Sequence, residues 1–310
     1  MKKFATIALT LAMAAASACA SATTVGICQL VQHEALDAAT QGFKDALTEK
    51  MPDVKFDEQN AAGDAATCVT ITSKFAADGV DLILANATSP LQAAVSATGD
   101  IPILGTSITD YATALGMKEW NGTTGINVSG TSDLAPLDGQ ASMIQELFPE
   151  AKNIGLLYCS AEANSVYQIT TIKGYLEEMG YTCTEFAFTD SNDVASVTQS
   201  AADSSDVVYI PTDNTAAAYT ETIANVLIPA KVPAVVGEEG ICKGCGVATL
   251  TISYYDLGYK TGEMAYDILA NGADVSTMKI ESAPNFTKKY NAANAEALGL
   301  TMPADYVAIE

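Results

Sequence analysis

Short, fully apolar runs recur along this chain, and each is followed by a polar turn and then by apolar residues at helical spacing. Residues 81–95, DLILANATSPLQAAV, show the pattern most clearly. Leu82, Ile83 and Leu84 form the continuous run expected of a parallel strand covered on both faces, and Leu91, Ala94 and Val95 open a helical stripe. Ser89 with Gln92 fits a capping box and Pro90 fits the first helical position, so a helix is predicted from residue 90. The same reading predicts strands at 25–31, 54–58, 81–85 and 101–105, then at 153–158, 182–188, 206–210 and 232–236. Helices are predicted at 35–50, 65–78, 90–97, 163–179, 193–203 and 215–228. This alternation predicts an α/β protein with parallel, doubly wound sheets, whose ligands bind beyond the carboxyl ends of the strands.

The pattern occurs twice. The segment from Val25, VGICQLVQHEALDAATQGFKDALTEKMPD, aligns without a gap to the segment from Ile154, IGLLYCSAEANSVYQITTIKGYLEEMGYT. Gly26 and Asp64 in the first copy are spaced as Gly155 and Asp193 are in the second, and DLILANATSP is answered by DVVYIPTDNT. An internal duplication of a β/α half follows, hence two similar lobes. The first-lobe loops that should meet a ligand are Gln32-His33-Glu34, Asn86 to Ser89 and Thr106 to Asp110. Those of the second are Glu162 to Ser165, Thr212 to Thr215 and Glu238-Glu239. The helix start near Asn86, Ala87 and Thr88 suits an anion, because its N–H groups and dipole end face the strand ends.

Three stretches look like crossings between the lobes: NVSGTSDLAP at 127–136, VATLTIS at 247–253, and the tail from about Val275. Between the last two, YYDLGYKTGEMAYDILANG reads as an amphipathic helix returning to lobe 1. The expected division is 23–128 plus 253–274 for lobe 1 and 129–252 plus 275–310 for lobe 2. Two such lobes on a three-strand hinge describe the type I periplasmic binding-protein fold, which encloses its ligand by hinge closure.

Residues 1–22 read as a secretory signal peptide: Lys2 and Lys3, an apolar run from Phe4 to Ala16, and small residues ending Ala20-Ser21-Ala22. The run is too short for a permanent membrane span. Cleavage after Ala22 predicts a free periplasmic protein. Lipid anchoring at Cys19 is the less favoured alternative, because Ala16 stands where such sites usually carry Leu and the first strand begins almost at once. A formal charge of −22 with a single histidine argues against nucleic acid as a partner. Beyond the signal stand Cys28, Cys68, Cys159, Cys183, Cys242 and Cys245. Cys242 and Cys245 form a CKGC that is expected in a glycine-rich turn, where a local disulfide is preferred to a redox pair. Cys159 and Cys183 are expected at opposite ends of neighbouring strands.

DLILANATSPLQAAV, NVSGTSDLAP, EANS at 162–165, IPTDNT, VVGEEG and GVATLTISYYDLG together resemble the aromatic amino-acid (tryptophan/tyrosine) branch of ABC-transporter substrate-binding proteins. The likeness runs through nearly the whole chain beyond residue 22. It implies capture of a free amino acid, aromatic or hydrophobic, by a monomer that neither spans the membrane nor needs a cofactor or metal. Delivery would be to an ABC permease and its ATPase. A zwitterion needs an anion site and a cation site. Asn86, Ala87 and Thr88, with Thr106 and Ser107, are the expected carboxylate site, and Asp213, Glu238 and Asp133 the candidate ammonium partners. Gln32, His33, Asn164, Ser165 and Asn214 complete the expected pocket. Other roles stand beside these: a helix cap for Asp213, a hinge pin for Asp133, and a cap of the first lobe-2 helix for Asn164 and Ser165. The pattern around His33 departs from the family, with Gln32 and Glu34 where an acidic residue and a proline are usual. Cys159 likewise stands where a polar residue is expected. Tyr158 and Tyr209 could wall a ring or lie in the core.

Two alternatives share the fold, a ligand-sensing partner of a receptor and a binding protein for another solute such as a sugar. An enzyme is disfavoured: there is no GxGxxG after the first strand, no Walker loop and no GxSxG elbow, and one histidine excludes most triad and metal schemes.

Overall fold

The computed structural model describes residues 22–309, so the predicted signal peptide lies outside the described residues except for Ala22. The chain first builds β1 (Thr24–Gln29), α1 (Glu34–Lys50), β2 (Lys55–Asn60), α2 (Ala65–Asp78), β3 (Leu82–Asn86), α3 (Thr88–Ala97), β4 (Ile103–Ile108), α4 (Tyr111–Leu115) and β5 (Val128–Ser132). It crosses over and builds α5 (Leu137–Leu147), β6 (Asn153–Cys159), α6 (Ala163–Glu178), β7 (Thr182–Phe188), α7 (Val194–Ala202) and β8 (Val207–Ile210). The second lobe continues through α8 (Asn214–Ala218), α9 (Thr220–Ala230), β9 (Ala234–Val236), α10 (Glu239–Gly244) and β10 (Ala248–Thr251). Helix α11 (Tyr254–Asn271) and β11 (Glu281–Ser282) follow, then β12 (Thr287–Tyr290), α12 (Ala292–Leu298) and β13 (Val307–Ala308).

Two sheets result, with strand orders β11-β5-β4-β3-β1-β2 and β13-β12-β10-β9-β8-β6-β7. The shared run, β5-β4-β3-β1-β2 against β10-β9-β8-β6-β7, is parallel throughout and carries the duplication read from the sequence. Asp81 and Asp206 show it at single-residue level. Asp81 Oδ2 accepts from the Thr24 N–H at 2.7 Å, and Asp206 Oδ2 accepts from the Asn153 N–H at 2.8 Å. Each ties the start of its central strand to the first strand of its lobe.

Alternation within the strands builds a core on both faces of each sheet. In lobe 1, Val25, Ile27, Leu82, Leu84 and Leu104 pack with Phe43 and Leu47 of α1 and Met264 of α11. Cys28, Ile83 and Ile103 turn the other way, to Phe75 of α2 and Leu91 of α3. Each fully buried Leu or Ile contributes about 1.5–3 kcal/mol relative to an exposed one. The long apolar runs of β1 and β3 are therefore what two covered faces require.

Several expectations are corrected. Helix α3 begins at Thr88 with Ala87 as N-cap and no side-chain cap. The Ser89–Gln92 box is not formed, because the Ala87 N–H still donates to the Thr106 carbonyl of β4 and the chain turns into the helix directly after it. The helix predicted at 215–228 breaks at Tyr219 into α8 and α9. Residues 128–132 and 281–282 pair with each other as β5 and β11 of the lobe 1 sheet, and Val275 and Met278 pack in the lobe 1 core. The crossings therefore fall after Ser132, around Ile252 and after Ser282, and 129–132 and 275–282 leave the second lobe, where they had been assigned. CKGC lies on α10 and its end rather than in a turn; Cys242 and Cys245 are buried free thiols that burial holds above the ordinary thiol range. Thiols held in that range are poor nucleophiles. Cys159 and Cys183 do lie on neighbouring strands with Cys159 opposite Phe188 and Cys183 opposite Ile154, too far apart in register to pair.

Candidate ligand-binding cleft

The carboxyl ends of β1, β3 and β4 in lobe 1 face those of β6, β8 and β9 in lobe 2. Two residues on the lobe 1 side have backbones that an L side chain resists. Ala87 has φ +98° and ψ 166°, a region used almost only by glycine, and Ser107 has φ +56°. Such strain, about 1–3 kcal/mol per residue, persists where surrounding structure enforces it and concentrates at ligand clamps. The turn at Ala87 leaves the first N–H groups of α3 without a side-chain cap, so Thr88 and Ser89 present unpaired donors at the positive end of the helix. The Ser107 hydroxyl is buried with no partner among the described residues.

Asp133, just beyond β5, supplies the opposite polarity. Its Oδ2 accepts from the Tyr254 hydroxyl at 2.9 Å, while Oδ1 is buried without a partner. Burial pushes this carboxyl up to about 6, against the bonds from Tyr254 and Thr109 that favour the charge. Because Asp133 lies on the first crossing and Tyr254 opens α11 after the second, this bond also pins two hinge strands together. Both roles considered for Asp133 are thus open to one side chain.

The other two acidic candidates are occupied. Asp213 caps α8, with Oδ1 accepting from the Ala216 N–H at 2.8 Å and Oδ2 from the Cys159 N–H at 2.7 Å. Burial, with the Glu162 carboxylate nearby, holds its pKa above the ordinary range. Glu238 caps α10 through the Gly240 and Ile241 N–H groups, and burial pushes it to about 7. Both tie down lobe 2 backbone, the cap reading that had been set beside the ligand role for Asp213.

The remaining candidates divide. Asn86 donates from Nδ2 to the Leu36 carbonyl at 2.8 Å and to Thr40 Oγ1 at 2.9 Å, so its amide holds α1 to the sheet, while its Oδ1 is buried and unpaired. Thr106 faces the interior, where its hydroxyl meets that of Thr131 at 3.3 Å, and it is corrected from pocket residue to core. Asn164 and Ser165 do not cap α6, whose N-cap is Glu162; the Asn164 amide donates to the Thr212 carbonyl instead. Gln32 is exposed at the rim. Tyr209 and Tyr158 are core residues whose hydroxyls donate to Gln140 and Glu185.

The sequence reading placed Glu162 in a ligand-facing loop but gave it no role. Its Oε1 accepts from the N–H and hydroxyl of Thr215, both at 2.8 Å, and its Oε2 from Asn214 Nδ2 at 2.7 Å. The available signal was the Asn-Thr pair after Asp213, whose extra donors require an acceptor. Gln168, which grips Thr212 from both amide atoms, had no comparable signal. The lobes touch across the cleft through His33 Nε2 and Asn214 Oδ1 at 3.3 Å and through Lys243 and Glu34 at 3.4 Å. A cavity of about 410 Å³ remains between them, with Leu30, Val31 and Ser89 on one wall and Cys159, Asn214 and Tyr219 on the other.

Two duplicated lobes that close on a mixed apolar and polar cleft define a two-lobed binding protein of type I architecture. A family model described as ABC transporter substrate binding protein matches residues 24–308, and the chain belongs to that family. A curated tyrosine-binding protein of Clostridioides difficile is 38% identical over 249 residues, 79% of this chain and 72% of that protein. The crystal structure of an ABC domain from Streptococcus pneumonia in complex with L-Trp is 32% identical and covers 92% of this chain and 97% of that one, with TM-score 0.87. The ligand-free, open structure of a substrate binding protein with adhesive properties from Clostridium difficile is 37% identical, covering 93% and 99%, with TM-score 0.70. A leucine binding protein from Thermotoga maritima, 13% identical over 81% of this chain and 83% of its own at TM-score 0.60, shares the fold. Among the described residues no helix is long and apolar enough to cross a membrane.

Proposed function

We propose that this protein captures a free amino acid with an aromatic or hydrophobic side chain in its interlobe cleft, outside the cytoplasm, and passes it to an ABC permease and its ATPase. One observation carries the reading: the acidic oxygen Asp133 Oδ1 is buried without a partner, its backbone bonds to β4 one residue from Ser107, whose hydroxyl is likewise partnerless, and β4 in turn holds the uncapped start of α3 through Ala87. A ligand ammonium satisfies the first, and a ligand carboxylate satisfies the others by charge-assisted hydrogen bonds. The apolar wall of Leu30, Val31 and Ala218 suits a hydrophobic side chain, and the tyrosine-binding and L-Trp-bound relatives support the same class. The match to a substrate-binding family supports binding rather than catalysis as the task of the site.

The test is a thermal-shift screen of the chain beginning at residue 23 against the free amino acids, with sugars and short peptides alongside. Ligand at a thousandfold excess over its dissociation constant stabilises by about 4 kcal/mol. A large shift with tryptophan, tyrosine or phenylalanine is the expected result. A shift with a sugar or peptide alone overturns the ligand class.

A further inference from the structure

Among the polar contacts across the cleft, one is organised from behind by a carboxylate. Glu162 is buried at the start of α6, and as a carboxylate it can only accept. Its Oε2 lies 2.7 Å from Asn214 Nδ2, so the amide nitrogen of Asn214 is turned to Glu162 and its oxygen to lobe 1. That oxygen, Oδ1, stands 3.3 Å from His33 Nε2. An amide oxygen cannot donate, so Nε2 carries the proton. Burial lowers the His33 pKa against the pull of Asn214, Glu162 and Asp37, which favours the neutral ring. His33 follows β1 in lobe 1; Asn214 and Glu162 belong to lobe 2.

We propose that His33 is a positioning residue rather than a ligand contact: with Asn214 and Glu162 it forms a latch between the lobes that holds the closed form and slows ligand release. Glu162 orients the Asn214 amide, and the amide selects the Nε2–H tautomer. The neighbouring Lys243–Glu34 pair is about half exposed on both sides and adds little. The latch rests on the amino-acid reading of the cleft only for its effect on release, since the His33–Asn214 bond itself needs no ligand.

The experiment uses the native chain from residue 23 without an affinity tag. His33 is then its only histidine, so nitrogen-15 NMR of the imidazole needs no assignment. A neutral ring protonated at Nε2 is expected, with Asn214→Ala restoring the tautomer mixture of a free imidazole. Stopped-flow release of the amino acid found in the thermal screen is expected to be about three- to tenfold faster in His33→Ala, the loss of one net hydrogen bond. In His33→Gln, whose amide can still donate, it stays within about twofold. An Nδ1–H ring in the wild type, or unchanged release from His33→Ala, overturns the latch. Should no amino acid bind, the functional reading fails separately. The latch is then decided by the tautomer and by small-angle scattering of the ligand-free proteins. There His33→Ala must be more extended than the wild type, and an identical profile overturns the proposal.

Discussion

Asp133 holds one oxygen on Tyr254 and keeps the other buried without a partner, and burial raises its pKa from 3.8 to about 6. In the ligand-free protein a raised carboxyl pKa means that the fold binds a proton more readily than the unfolded chain does. The Asp133 contribution to stability is therefore fully present below about pH 4 and is lost as pH rises to about 6. An ammonium ligand reverses the sign, because it needs the carboxylate. Affinity is expected to fall as pH drops below about 6, approaching tenfold per unit, and calorimetry across pH 5 to 7 checks this. Asp133→Asn should abolish the dependence and weaken binding by roughly 1–3 kcal/mol. Ala87 makes a separate case. Ala87→Gly relieves about 1–3 kcal/mol of backbone strain and gives back about 0.5–1 kcal/mol in chain entropy. The ligand-free melting temperature should rise while amino-acid affinity drops, since the α3 start is then less rigidly aimed.

Helices α1 and α11 come so close at Gly42 and Gly258 that no side chain fits at either position. A Cβ on Gly258 would collide with the Ala39 carbonyl, and one on Gly42 with that of Tyr255. Gly258→Ala must push backbone from backbone, so denaturant unfolding should show a loss of about 1–3 kcal/mol or more, with lobe 2 contacts untouched. At this scale the sequence was a good guide. Apolar runs such as Leu82 to Leu84 are visible because both sheet faces are covered, and helix α2 begins and ends as its pattern predicts, at Ala65 and Asp78. The start of α3 was misplaced because Pro90 and Ser89 are good N-terminal residues, yet the β4 partner of Ala87, distant in sequence, fixed the turn. Asp213 and Glu238 illustrate the limit at the site. An acidic residue after a strand reads alike as cap or ligand partner, and only the positions of the Ala216, Cys159, Gly240 and Ile241 N–H groups decide between them.

The chain visits lobe 1, completes most of lobe 2, and returns to lobe 1 with α11 and β11 before ending in β12 and β13. Until α11 arrives, one face of the lobe 1 sheet, including Val25, Ile27, Leu82, Leu84 and Leu104, lacks the cover of Met264 and Ala265. A chain truncated after Ile252 is therefore expected to bind hydrophobic dye and to lack a cooperative melt, as dye fluorescence and calorimetry would show. The consequence concerns time rather than shape. The first lobe to be synthesised is the lobe that must wait, and its sheet cannot be sealed until a helix far along the chain has been made. A polypeptide emerging amino-terminus first through a narrow channel thus stays unfinished, and threadable, for most of its passage.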